Sequence, residues 1–495
     1  MCKKAGILMP ISSLPSPYGI GTLGRAAYDF VDFLHACGCR LWQVLPLQPT
    51  SYGDSPYSSF SAFALNHYFI DLDLLCNDGL LTRTECETDW GESPRRVDYG
   101  KLYERRVPVL QKAFSRFHRT MPAWKAFLRE GKYRDYALFM ALKAKFGGVS
   151  HERWGQCSEY DQDEVAQFEA THSEEVLFWQ FTQFVFLQQW NALKAYAHLK
   201  GVEIVGDIPY YVARDSVETW KYKKELFLLN AEGVPAAQAG VPPDSFSERG
   251  QLWGNPVYDW ARMRQNGYAW WRRRFEDGLA LYDYLRIDHF IGFARYYKIP
   301  ADATEAIRGT WEKGPGAEPF KGYENSRIVA EDLGIVTDEV RDLLKRTGYP
   351  GMKILQYGFD GSECNEHRPS RYLENCFAYT GTHDNETLME KLSAMNEAEF
   401  ATLCGVLKAE CKKVGVVARC TTKREVCRSI LRLLLFSRAK IVIFPLQDAL
   451  CMGEEGRINR PSTVSSNNWS FRFIKKDFSR SLCKRLQELI RLSGR

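Results

Sequence analysis

Apolar positions gather into eight short, nearly continuous runs, each closing on a polar cluster. They are residues 5–11 (AGILMPI), 40–47 (RLWQVLPL), 202–209 (VEIVGDIP), 282–290 (YDYLRIDHF), 327–334 (RIVAEDLG), 352–359 (MKILQYGF), 376–384 (CFAYTGTHD) and 440–448 (KIVIFPLQD). Continuous runs, as opposed to strict alternation, suit strands buried on both faces of a parallel sheet. Helical spacing fills several of the intervals. Ala27, Phe30, Val31 and Leu34 line one face of residues 25–37, and Gly38 marks the stop. The pattern from Thr171 to Glu174 reads as a capping box opening a helix that runs to Leu199, and a further helix runs from an N-cap at Thr337 to Gly348. Strand and helix alternating eight times predict an α/β fold, a (β/α)8 TIM barrel with its helices outside. Pro10 and Pro46 belong at strand ends, because proline cannot donate to a central ladder.

The spacing of the runs predicts where the barrel is elaborated. Residues 65–170 read as a helical insertion between strands two and three, 213–281 as an insertion between strands three and four, and 386–439 as a helical insertion between strands seven and eight. No Gly-, Ser- or Pro-rich linker and no internal repeat divides the chain. Residues 1–495 are therefore expected to form one elaborated catalytic barrel without a separate C-terminal β domain.

Barrel enzymes place their active site at the C-terminal ends of the strands. Here those ends carry Asp207, Asp288, Glu331, Asp384 and Asp448. Like charges crowded on one face repel and raise one another's pKa, so five convergent carboxylates call for an explanation beyond packing. Structural pairing would account for one or two, with Asp207 and Asp448 the first candidates. Arg286 lies two positions before Asp288, so both side chains point to the same side of their strand, and the cation would hold Asp288 ionised. Glu331 follows Ile328, Val329 and Ala330, an apolar setting that raises a carboxyl toward the range of a general acid. Two carboxylates in opposed environments suit glycoside chemistry, one attacking the anomeric carbon while the other protonates the leaving oxygen. His383, beside Asp384, lacks partners at metal-ligand spacing and reads as a hydrogen-bonding group for a sugar hydroxyl. No P-loop, no GxGxxG after a strand and no GxSxG elbow occurs.

Composition narrows the setting. The 495 residues are 45% apolar and 26% charged, ordinary globular values, and the 13 Trp, 25 Tyr and 29 Phe suit both core filling and stacking on sugars. A net charge of +5 is thin for this length, and no nucleic-acid motif accompanies it. The basic tail from Arg480 reads as a solvated amphipathic helix with Leu482, Leu486 and Leu489 on its apolar side. No apolar stretch reaches the ~18 residues of a membrane span, and the short run after Lys3 and Lys4 is too brief for a secretory signal. Fourteen cysteines without a CxxC pair read as free thiols of a reducing compartment, so a cytoplasmic location is expected.

Motifs along the whole chain resemble those of the amylomaltases, the 4-α-glucanotransferases of glycoside hydrolase family 77. They are LPSPYGIGTLG (14–24), RLWQVLPL, YGDSPYSSFSAFA (52–64), GDIPYYVARDS (206–216), GQLWGNPVYDW (250–260), RIDHF (286–290), IVAEDLG (328–334), PGMKILQ (350–356), YTGTHDN (379–385) and PLQD (445–448). The resemblance implies a retaining transfer of α-1,4-glucan segments to the 4-hydroxyl of another glucan or of glucose, through a covalent glucosyl-enzyme. It implies Asp288 as nucleophile, Glu331 as acid/base and Asp384 as the third carboxylate. Arg286 and His383 would surround the cleaved glucose. Tyr57 would form an aromatic platform for it, with Tyr52, Ser55, Asp207, Gln251, Trp253 and Asn459 in contact positions. No cofactor and no metal is implied, and the partners are α-1,4-glucans and maltooligosaccharides, with no nucleic acid and no membrane. An α-1,4-glucan hydrolase shares the first half-reaction, and a catalytically weak glucan-binding protein is the reading outside catalysis. The chain departs from the family pattern at Ile291, Ser245, Ser370, Arg371, Ser462 and Asn467. These positions fall on loops expected to bind substrate, where they bear on chain-length preference and rate more than on the chemistry.

Overall fold

A computed structural model of the chain describes residues 3–243 and 248–495. Ser245 lies outside the described residues. Among the described residues there are twelve strands: β1 (Lys4–Leu8), β2 (Leu41–Gln43), β3 (Glu203–Ile208), β4 (Ala237–Val241), β5 (Gln251–Pro256), β6 (Tyr284–Ile287), β7 (Arg295–Pro300), β8 (Thr310–Lys313), β9 (Ile328–Ala330), β10 (Gly351–Ile354), β11 (Cys376–Tyr379) and β12 (Ile441–Pro445). Eight of them pair in parallel in the order β10-β11-β12-β1-β2-β3-β6-β9. The Ala330 N–H donates to Pro350 O at 3.0 Å, which closes β9 onto β10 and completes the (β/α)8 barrel. Each of the eight apolar runs overlaps one of these strands. The ladders are shorter than the runs, because the chain turns into the barrel mouth soon after each strand.

The pleat decides what faces inward. Leu8, Leu41, Val205, Tyr284, Val329, Met352, Ile354, Phe377, Tyr379, Ile441 and Ile443 pack together inside the barrel. Their alternates, such as Ile7, Ile204, Leu285 and Val442, pack outward against the helices. Stepping two residues on from Val205, Tyr284 and Val329 reaches Asp207, Arg286 and Glu331, so the parity that fills the core also aims charged groups into the mouth. Gly206 occupies an outward position where a Cβ would lie 2.1 Å from the Tyr282 ring. The floor of the barrel is closed by Lys4 paired with Glu203, which Arg327 also contacts at 2.9 Å.

The helix Arg25–Cys37 ends at Gly38, in the left-handed conformation at φ 79°, as its sequence predicts. The helix Asp338–Thr347 likewise runs from Thr337 to Gly348. The capping box expected at Thr171 is absent. Thr171 closes the preceding helix, Gln162–Thr171, with its hydroxyl donating to Gln167 O and Phe168 O, and the long helix starts after it at Ser173. Between β2 and β3 the described chain is mainly helical, including Tyr99–Ser115 and Arg134–Lys145. Between β11 and β12 lie helices Leu388–Ala394, Glu397–Lys413 and Lys423–Phe436. The last helix, Arg480–Leu492, buries Leu482, Leu486 and Ile490.

A second sheet stands beside the barrel mouth, antiparallel, in the order β5-β4-β7-β8. Two of its strands come from the connection between β3 and β6, and two from the connection between β6 and β9. The insertion predicted over 213–281 thus supplies β4 and β5, and the sheet itself has no counterpart in the apolar pattern.

Candidate active site

Four of the five strand-end carboxylates converge on the mouth. Asp207 and Arg286 are register neighbours across β3 and β6. One nitrogen of the Arg286 guanidinium reaches both oxygens of Asp207, at 2.8 and 2.7 Å, and the other donates to Asp288 Oδ1 at 3.0 Å. Asp207 and Arg286 are buried, whereas the Asp288 side chain keeps 30% of its surface open to the cleft. A buried cation between two carboxylates fixes both geometrically.

Glu331 has a different environment. Its carboxylate accepts the backbone N–H of Leu333 at 2.9 Å and that of His289 at 2.7 Å. Burial, reinforced by the negative charge of Asp288, pushes its pKa up to about 8 against the opposing pull of Arg286 and the two amides. Asp384 is the converse case. Desolvation by the cleft walls would raise it, yet the adjoining His383 and the donors around it hold its carboxyl down at about 2. Those contacts are Asn459 Nδ2 to Oδ1 at 2.7 Å and His383 Nε2 to Oδ2 at 3.3 Å.

Asp448 is the carboxylate that does not reach the mouth. It is buried in the short helix Leu446–Leu450, where Oδ1 accepts the Leu388 N–H at 2.8 Å and Oδ2 accepts the Thr380 hydroxyl. It thereby brackets residues 380–388, the segment that carries His383 and Asp384.

The cleft above these groups holds about 1260 Å³ of open space. Tyr57 forms one wall. Its hydroxyl donates to Asp207 Oδ2 at 2.7 Å, and its ring stacks on His383 with centroids 5.0 Å apart and planes within 13°. Ser55 supports the same turn by accepting the Tyr57 N–H. Gln251 and Trp253 of β5 also line it, joined by a hydrogen bond of 3.1 Å, with the Trp253 ring edge-on to His289 at 5.0 Å. Asn459 and Ser55 also line it. Tyr52 is the predicted contact residue that lies elsewhere: it is 88% exposed at the tip of its loop and does not line the cleft.

Several lining residues escaped sequence reasoning. Trp469 packs on both Tyr57 and His383 at 5.8 Å and adopts a left-handed φ of 60°. Tyr211 and His289 also line the cleft, and burial holds the His289 imidazole down at about 4. His289 directly follows Asp288, a signal that was available. Trp469 sits among polar residues with no periodicity to mark it.

The departures from the family pattern have structural places. Ile291 is buried. The Ser370 hydroxyl donates to Glu410, and Arg371 donates to Glu363 O. Ser462, on the cleft rim, takes the left-handed φ of 62° that glycine adopts more readily. Asn467 O accepts from Arg96. Among the described residues, no group of three or more His, Cys, Asp or Glu is arranged to hold a metal.

Comparison with known proteins agrees with this geometry. A family model described as 4-alpha-glucanotransferase, of glycoside hydrolase family 77, matches residues 9–476. The 4-alpha-glucanotransferase of Clostridium butyricum is 41% identical, covering 98% of this chain and 100% of that protein. The corresponding enzyme of Thermus thermophilus is 42% identical, covering 99% and 98%. A solved amylomaltase from Streptococcus agalactiae, in complex with acarbose, superposes with a TM-score of 0.93 at 38% identity, covering 100% of this chain and 99% of that one.

Proposed function

The chain belongs to glycoside hydrolase family 77 and is a transferase of α-1,4-glucan segments, and within that reaction we propose that Asp288, Glu331 and Asp384 divide the chemistry. Asp288 is the nucleophile. Arg286 holds it aimed through one oxygen, leaving the other to attack the anomeric carbon of the donor. Glu331, kept protonated near neutrality by its burial, gives its proton to the departing glycosidic oxygen. Asp384, kept ionised by His383 and Asn459, binds sugar hydroxyls and offsets the positive charge that develops on the ring.

In the second half-reaction the 4-hydroxyl of an acceptor replaces the leaving glucan. Glu331, now a carboxylate, takes the proton of that hydroxyl while the oxygen attacks the anomeric carbon and Asp288 leaves. Tyr57 and Trp253, both lining the cleft, supply apolar faces for the donor sugar. Arg286, His383, Ser55, Asp207, Gln251 and Asn459 hold it or the carboxylates in place.

The observation that carries this assignment is the opposed setting of two neighbouring carboxyls: Asp288 paired to a buried cation, and Glu331 raised to about 8. The substrates on this reading are maltooligosaccharides and longer α-1,4-glucans. The described cysteines are all free thiols, which supports a cytoplasmic location. The test is incubation with maltotriose alone. Longer and shorter oligosaccharides with a constant total of reducing ends are expected. Steadily rising reducing ends without longer products would mark a hydrolase, and silence with longer donors and added glucose would mark a binder. Peptide mass mapping after trapping with an activated glucosyl donor should place the covalent sugar on Asp288, and a label elsewhere would overturn its role.

A further inference from the structure

The part of the cleft rim that carries Asn459, Ser462 and Trp469 has no regular element to hold it, since residues 457–470 belong to no helix or strand. Its side chains are tied instead to the neighbouring segment that bears His383 and Asp384. Arg457 Nε donates to Asn459 O at 3.0 Å, and Arg457 Nη1 donates to Glu390 Oε1, also at 3.0 Å. Arg460 Nη2 reaches the same Glu390 oxygen at 3.1 Å and Glu454 Oε1 at 2.6 Å. Glu390 stands in the first turn of the helix Leu388–Ala394, where its N–H donates to the capping Thr387 hydroxyl at 3.1 Å. That hydroxyl donates in turn to Met452 O at 2.7 Å. The side chains of Glu390 and Arg457 are each 13% exposed, against 42% for Arg460, and neither Glu390 nor Arg457 lines the cleft.

From this arrangement we infer that Glu390 and Arg457 are positioning residues for the transfer reaction: the pair latches the Asn459 backbone to the segment of Asp384 and so sets the hydrogen bond from Asn459 to Asp384. The inference rests on the role proposed above for Asp384. Two links join the same two segments. One, Asn459 Nδ2 to Asp384 Oδ1 at 2.7 Å, lies in the cleft, and the other, Arg457 to Glu390, is set back from it.

Ordering an irregular segment costs conformational entropy at every residue fixed. A largely buried, charge-assisted pair two residues from Asn459 offsets that cost before substrate arrives, so Asn459 does not have to be ordered during the reaction. Arginine suits the task because its planar fork presents Nε to the carbonyl and Nη1 to the carboxylate in one fixed geometry. A lysine carries a single nitrogen on a flexible stem and holds only one of the two. Arg460, more exposed and shared with Glu454, adds less. Glu390 Oε2 is buried and meets no donor among the described residues. An amide at this position can therefore place its NH2 there and keep its oxygen toward the arginines.

The experiment measures maltotriose transfer against pH, with melting temperatures, for Arg457→Lys, Asn459→Ala and the two combined, and for Glu390→Ala and Glu390→Gln. Arg457→Lys keeps the charge opposite Glu390 and releases Asn459 O. Its kcat should fall by up to about tenfold, the loss expected of Asn459→Ala itself, with KM little changed and the acidic limb moved upward. The other groups facing Asp384, namely His383, Arg286, Tyr57 and Tyr357, are untouched in this variant. Added to Asn459→Ala, Arg457→Lys should cost less than about twofold more, because the group it positions is gone. Glu390→Gln should recover most of the transfer lost in Glu390→Ala, and if Glu390→Ala does not fold, Arg457→Lys carries the test. The latch is overturned by an acidic limb that stays in place in Arg457→Lys, or by losses that multiply in the double variant. Asp384→Ala with undiminished transfer would overturn the role of Asp384 and the latch with it, whereas failure of the latch alone leaves Asp384→Ala inactive.

Discussion

The backbone N–H of His289 donates to Glu331 Oε2 at 2.7 Å, so the residue that follows Asp288 holds the carboxyl on the neighbouring strand end. A left-handed φ of 46° at His289 is what turns that amide toward β9. Main chain next to Asp288 thereby anchors the Glu331 carboxyl, while Arg286 holds that of Asp288.

Replacing Glu331 with Gln removes the proton donor and leaves an amide facing two N–H donors. Transfer from natural glucans should fall by about 10²–10⁴-fold, and far less for a glucosyl donor with a good leaving group in the glycosylation step. Single-turnover rates on both donors check this, and equal losses would remove Glu331 from the acid role.

The raised Glu331 carboxyl also sets a pH dependence. As the required acid it should give an alkaline limb in kcat/KM near pH 8. For stability, a carboxyl raised on folding binds more protons in the native state between its unfolded value, ~4.3, and its folded one. Its contribution is therefore fully present at acid pH and lost as pH climbs to about 8. Asp448 and Glu218, both raised to about 7 by burial, act in the same direction. Denaturant unfolding at pH 5 and pH 8 should show a smaller pH-dependent loss in Glu331→Gln than in the parent enzyme.

Asn459→Ala takes from Asp384 a donor at 2.7 Å. Its pKa should rise from about 2, moving the acidic limb of the activity profile upward. Activity at the optimum should fall about tenfold, on the order of one charge-assisted hydrogen bond. An acidic limb that stays where it was would show that His383 suffices.

Tyr57→Phe keeps the stack on His383 and deletes the hydrogen bond to Asp207, whereas Tyr57→Ala deletes both. The first should cost mainly kcat, by about tenfold, and the second should raise KM as well, since the apolar wall is gone. Steady-state kinetics with maltotriose separate the two.

Ser462→Gly should stabilise the fold by up to about 1 kcal/mol, because the left-handed φ of 62° strains a residue with a Cβ. A lower denaturation midpoint would show that the Ser462 side chain contributes more than its backbone costs.

The barrel was legible because its strands are buried on both faces and write themselves as apolar runs. Strand-end carboxylates followed from the same parity, and Arg286 from its two-residue step to Asp288. The second sheet was not legible. Gln251–Pro256 and Thr310–Lys313 are largely exposed and carry no clean alternation, and their partners are fixed by tertiary pairing across long separations. Tyr52 was drawn toward the cleft by its place in a shared motif, yet the turn around Gly53 and Asp54, both at positive φ, carries it outward. Thr171 misled because a helix end and a helix start abut there, and the same hydroxyl served the end.

The sheet of β5, β4, β7 and β8 draws its strands from two separate connections of the barrel, and β4 pairs with β7 across that division. Neither connection can be shortened alone without leaving an open edge beside the cleft. Divergence of this wall among relatives must then proceed by matched changes in both loops, and a chimera that swaps one without the other will mispair. Exchanged together, the two loops form a cassette that can be moved between members of the family while the barrel floor is left untouched.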